Sequence, residues 1–142
     1  MNILIIGSGA REHAIAKALK RTTSSSTLFC YGSHVNPGIH ALVEEHWTGD
    51  LSNVDVILEK AKRWNIQLTI IGPEGPLAFG LADNLWKANI PTIGPTKKNA
   101  QIEANKSFAR DLMKKYQIQG LVPYQTFSNG HFLQLTEMHC ID

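Results

Sequence analysis

Arg11, Glu12 and His13 stand directly behind a glycine turn, Gly7-Ser8-Gly9. A guanidinium at a helix start, where free N–H groups and the dipole already favour negative charge, is equipped to clamp a phosphate or carboxylate. The plain alternative is a surface pair between Arg11 and Glu12, but a cation in a first turn is mildly unfavourable by itself. His13 is suited equally to capping a loop carbonyl and to touching a substrate. Farther on, Gly72-Pro73-Glu74-Gly75-Pro76 reads as a rigid loop. Its prolines fix φ and its glycines permit close approach, so Glu74 would be held in a defined place. A third loop runs from Gly32 through Asn36 and Pro37 to Gly38, with the turn chemistry of a strand's carboxyl end.

Regular elements must bring these loops together. Residues 3–6, Ile-Leu-Ile-Ile, form a continuous apolar run without polar alternation, the pattern of a central parallel strand covered on both faces. A helix is expected over residues 11–21, with Ala14, Ile15, Ala18 and Leu19 as its apolar stripe. Strands follow at 28–31, 46–48 and 68–71, and a last short one falls within 89–95. Between them, Ser52 with Asp55 suggests a capping-box start to a helix carrying Val54, Ile57, Leu58, Ala61 and a core-facing Trp64. Another helix is expected from Leu77, with Leu81 and Leu85 at i+4 and i+8. This alternation predicts an α/β fold with a parallel sheet and right-handed crossovers. Ligands of such sheets bind at the carboxyl ends of the strands, where all three loops belong. Beyond Pro95, Thr96 would cap a short helix and Asn105 a longer one with Phe108, Leu112 and Tyr116 on one face. A strand is possible at 124–127, and 128–142 have no clear period.

Composition narrows the partners. A net charge of +2, with the lysines and arginines dispersed, leaves no basic stripe for nucleic acid. No apolar stretch approaches a membrane span, and Gly7 interrupts the first apolar run after four residues, so a cytoplasmic setting and no membrane partner are expected. Cys30 and Cys140 are far apart and belong to no metal-type cluster, and no metal ligand set is expected; Cys30 reads as a small buried apolar residue. Gly7 and Gly9 match the start of a dinucleotide fingerprint, but Glu12 occupies its third position, where a side chain would crowd the helix–strand contact. No acidic residue closes the second strand either, since Gly32, Ser33 and His34 follow it.

Several motifs recur in one order: Gly-Ser-Gly-Ala-Arg-Glu-His-Ala, Asn36-Pro37-Gly38, Gly72-Pro-Glu-Gly-Pro-Leu77 with Gly80 and Asp83, Gly94-Pro-Thr96, and Ala100-Gln-Ile-Glu-Ala-Asn-Lys106-Ser-Phe-Ala109. Together they resemble the amino-terminal part of the phosphoribosylamine–glycine ligase (glycinamide ribonucleotide synthetase) family, over roughly residues 1–127. The likeness departs at His34 and Val35, where the family has Pro-Gly, and at Asn105, where it has Ser.

The resemblance implies a Rossmann-like pre-ATP-grasp domain at 1–103, then a linker helix and the start of an ATP-grasp region at 104–142. It implies an ATP-dependent ligase of purine biosynthesis that joins glycine to 5-phosphoribosylamine, with ATP and Mg²⁺ as cofactors. Gly7, Gly9, Arg11, Glu12, His13, Asn36, Gly38, Gly72, Pro73, Glu74 and Asp83 would bind substrate, and Lys106 would approach the ATP phosphates. No catalytic residue is singled out. About 40 residues cannot build a nucleotide-gripping domain, so these residues alone are expected not to turn over. A different class stays open: a nucleotide-binding or self-associating Rossmann-like module without catalysis, the latter through the apolar face of 105–116.

Overall fold

The computed structural model describes residues 1–21 and 26–125. Five parallel strands form one sheet in the order β3-β2-β1-β4-β5: β1 (Asn2–Ile6), β2 (Thr27–Gly32), β3 (Glu45–Thr48), β4 (Leu68–Ile71) and β5 (Thr92–Ile93). The first strand is central, as its unbroken apolar run requires. Ile3, Leu4, Ile5 and Ile6 are all at most 1% exposed, because successive side chains enter different layers. Leu4 and Ile6 pack with Phe29, Tyr31 and Ile71 in a large cluster that includes Ile57, Trp64, Leu81 and Leu85. Ile3 and Ile5 pack with Leu28 and Ile70 beneath Ala16 in the other layer. Each fully buried Ile or Leu contributes roughly 1.5–3 kcal/mol.

Helix α1 (Ala10–Lys20) covers the second layer, and α2 (Pro37–His40) is a single turn beside it. Helix α3 (Val54–Arg63) starts one residue later than expected. Asn53 is its cap, accepting from the Val56 N–H at 3.2 Å. Ser52 is unavailable because its N–H and hydroxyl both donate to Asp50, at 2.8 and 2.7 Å. Trp64 faces the core as its spacing predicts, 6% exposed and stacked on Phe29 with ring centroids 5.1 Å apart. The helix expected from Leu77 is two pieces, α4 (Glu74–Ala78) and α5 (Leu81–Lys87). Gly80 separates them at φ +84°, a left-handed conformation that ends one helix and redirects the next. Helix α6 (Lys97–Ala104) follows Thr96.

Met1–Ala104 form one compact unit and Asn105–Asp142 another. In the second, Asn105 caps α7 (Lys106–Lys115) by accepting from the Phe108 N–H at 3.0 Å. None of the residues of α7 is buried, and Tyr116 at its end is 63% exposed. Tyr124 and Gln125 are not in a strand; the rest of the expected strand at 124–127 and the 128–142 stretch lie outside the described residues.

Candidate functional site

The sheet places its ligand edge by topology. From β1 the chain crosses to β2 and β3 on one side, while β4 and β5 lie on the other, so the order reverses between β1 and β4. Turns leaving those two strands must diverge there, which opens a crevice at their carboxyl ends. Ile6 pairs with both Tyr31 and Ile71, and the bonds Gly7 N–H to Tyr31 C=O (2.9 Å) and Gly72 N–H to Ile6 C=O (3.1 Å) hold both turns at the mouth.

Gly7, at φ +110°, turns the chain sharply out of β1, and Gly9 then caps α1 in an extended conformation. The first-turn N–H groups of Ala10, Arg11 and Glu12 have no intrahelical acceptor. After β4, Pro73 precedes α4, and Glu74 is that helix's first residue. The rigid loop expected across 72–76 is therefore only Gly72 and Pro73, because Pro76 sits within the helix that Glu74 begins. A carboxylate in a first turn is favoured there by the dipole. Gly9, Ala10, Arg11, Glu12, Pro73 and Glu74 line an open cleft of about 250 Å³. Arg11 does not pair with Glu12 across their turn. Its Nη1 donates to the Gly72 carbonyl at 2.6 Å, joining the two walls.

Glu12 points inward and is 5% exposed, its Oε2 accepting from the Gly9 N–H at 2.6 Å. The crowding expected of a carboxylate at this position does not arise, because Gly7 and Gly72 leave the space it fills.

The third loop buttresses the first and supplies none of the cleft's lining. Ser8, 4% exposed, has its hydroxyl 3.2 Å from His34 Nδ1 and 3.4 Å from Ser33 Oγ. Asn36 donates from Nδ2 to the Ser8 carbonyl at 3.0 Å and caps α2 by accepting from the Gly38 and Ile39 N–H groups. The His13 ring lies over Gly38, where a β-carbon would come within 2.6 Å of its Nε2. Asp83 stands apart from the cleft, its Oδ2 accepting from the Lys97 N–H at 2.7 Å at the start of α6. Lys106 is an exposed residue of the second unit.

Ser8 and His34 are fasteners outside the residues that the sequence singles out. Their signal was a polar residue between the two turn glycines and another just past β2. Cys30 is buried, as expected, and donates to the Gly7 carbonyl at 3.4 Å. Burial pushes its thiol up to about 12, and the nearby Glu12 charge adds to the effect.

A parallel sheet with two glycine turns, a helix start and an arginine at its switch point defines an α/β domain of the Rossmann-like kind, with N–H donors and a guanidinium beside one crevice. The chain belongs to the family described as phosphoribosylglycinamide synthetase, N domain, whose model matches residues 1–103. It is 45% identical over 128 residues to a phosphoribosylamine–glycine ligase of Methanosarcina barkeri, covering 90% of this chain and 30% of that protein. A phosphoribosylamine–glycine ligase of Methanococcus vannielii is 47% identical over 128 residues, with 90% and 29% covered. The chain thus spans about three tenths of the length of the curated relatives it matches. Phosphoribosylglycinamide synthetase from Anaerococcus prevotii shares the fold at TM-score 0.63 and 22% identity, over 82% of this chain and 29% of that one. N5-carboxyaminoimidazole ribonucleotide synthetase from Thermotoga maritima does so at TM-score 0.64 and 15% identity, over 82% and 31%.

Proposed function

We propose that this chain is the phosphoribosyl-binding, amino-terminal part of an ATP-dependent ligase that joins glycine to 5-phosphoribosylamine in purine biosynthesis, in the cytoplasm. The observation that carries the reading is the identity of 45% or more to phosphoribosylamine–glycine ligases over nine tenths of the chain. The cleft's charges support it. A site for phosphate alone would be cationic, yet Arg11 shares this lining with the Glu74 carboxylate. A ligand carrying a phosphate at one end and hydroxyls or an amine at the other suits that mixture. Arg11 and the first-turn N–H groups would take the phosphate, and Glu74 an amine or a ribose hydroxyl.

In the whole protein, ATP would phosphorylate the glycine carboxylate. The amine of phosphoribosylamine would then attack that acyl carbon, forming the C–N bond and expelling phosphate. What this chain contributes is binding and orientation of the amine. Lys106 is the residue here offered toward an ATP phosphate. In the whole protein Mg²⁺ would shield phosphate charge; among the described residues no group of three His, Cys, Asp or Glu could hold a metal ion. Self-association through α7 and the exposed Tyr116 that follows it is the alternative, a module without catalysis, and is tested by sedimentation of the chain.

Titration of glycinamide ribonucleotide, a stable stand-in for the labile amine, tests the site. Arg11→Ala should weaken binding by roughly ten- to a hundredfold, since a hydrogen bond to a charged group is worth about 1.5–3 kcal/mol. Equal affinity in both proteins removes Arg11 from the site, and no affinity in either removes the site.

A further inference from the structure

Three glycines converge on one carboxylate. A β-carbon at Gly7 would stand 2.9 Å from Glu12 Cδ, one at Gly9 2.9 Å from Glu12 Oε2, and one at Gly72 2.6 Å from Glu12 Cδ. Gly72 lies sixty residues along the chain, in the opposite wall of the cleft. Its φ is outside the left-handed region, so its backbone would accept alanine; what excludes a side chain is space alone. The same residue is held from outside by Arg11, at its carbonyl. Glu12 also takes the Gly9 N–H, the donor that a ligand anion at this turn would otherwise meet.

We infer that Glu12 is a positioning residue: its buried carboxylate sets the spacing of the β1 and β4 turns, and position 72 is glycine to admit it, not to admit ligand. This rests on the proposed phosphoribosyl site and deepens it. The ligand phosphate then falls to Arg11 and the N–H groups of Ala10 and Arg11, because the Gly9 donor is already engaged.

The test is a double-mutant cycle on the 142-residue chain, with Gly72→Ala, Glu12→Ala and their combination, plus Glu12→Gln. Melting temperature and affinity for glycinamide ribonucleotide are read for each. Gly72→Ala alone should melt at least about 5 °C lower, as overpacked sites do. Added to Glu12→Ala it should cost under about 2 °C, because the side chain it presses on is gone. Glu12→Gln keeps the shape and the acceptor, so it should bind within about threefold of wild type.

Gly72→Ala that is harmless, or equally harmful with and without Glu12, overturns the inference. So does Glu12→Gln that melts like wild type but binds more than tenfold weaker, since that makes the charge a direct ligand contact. If Glu12→Ala does not fold, Gly72→Ala and Glu12→Gln still decide. Loss of ribonucleotide binding by wild type defeats the functional reading alone, because the coupling is also read in melting temperature.

Discussion

Asn36→Ala should lower the melting temperature by about 8 °C while leaving every apolar core residue in place. The Asn36 side chain does two jobs. Its Oδ1 accepts from the Gly38 N–H at 2.9 Å and the Ile39 N–H at 3.3 Å, capping α2. Its Nδ2 donates to the Ser8 carbonyl at 3.0 Å, tying the third loop to the first. Loss of an asparagine cap costs about 1 kcal/mol. Ser8 is 4% exposed, so removing its carbonyl's donor costs a further 1–3 kcal/mol or so. The low end of that sum, about 2 kcal/mol, converts at about 4 °C per kcal/mol for a unit of this size. Asn36→Ser separates the two jobs: it keeps a capping oxygen but cannot reach Ser8, and should recover roughly half of the loss. Thermal melts followed by circular dichroism at pH 7.5 read all three proteins. A drop under about 3 °C for alanine, or serine as harmful as alanine, would refute the reasoning. The turn after β1 would then be held by its bonds to β2 and β4 without help from Asn36.

Two further outcomes follow from particular groups. The His46 imidazole titrates below the usual histidine range, first because it is buried and then because His40, with ring centroids 5.9 Å apart, adds repulsion. The unfolded chain therefore takes up that proton first, and stability should fall as pH drops through about 6.5 toward the lower folded value. His46→Gln should show a smaller difference in melting temperature between pH 7.5 and 5.5; an unchanged difference assigns the effect elsewhere. Asp83→Ala removes the acceptor of the Lys97 N–H and should cost about 1 kcal/mol of stability, seen in denaturant melts, with ribonucleotide affinity unchanged. A tenfold loss of affinity at unchanged stability would return Asp83 to the binding site.

What the sequence disclosed of this fold follows the range of the forces involved. The Ile3–Ile6 run announces a strand covered on both faces because burial acts on each residue whatever its partners are, and Trp64 announces its core orientation through helical spacing for the same reason. Asn105 is legible as a cap because its acceptor meets an N–H three residues on. The α3 cap falls one residue past Ser52 because two local devices compete. Asp50 draws Ser52 into its own turn, and the cap passes to Asn53. Periodicity of Leu77, Leu81 and Leu85 continues across Gly80, so the break in that helix is carried by a backbone angle that no apolar pattern encodes.

The site depended most on distance along the chain. That Asp83 caps α6 rests on a partner fourteen residues away, and that Glu12 can be buried rests on a missing side chain at position 72. Read locally, Glu12 is a charged residue in a first turn and belongs in solvent or against a ligand. Only when β4 is laid beside β1, with Ile6 opposite Ile71, does Gly72 supply the vacancy that turns this carboxylate inward. The glycines of the two turns could be recognised as a pattern from the sequence, but the physical reason for one of them is a side chain on the other turn.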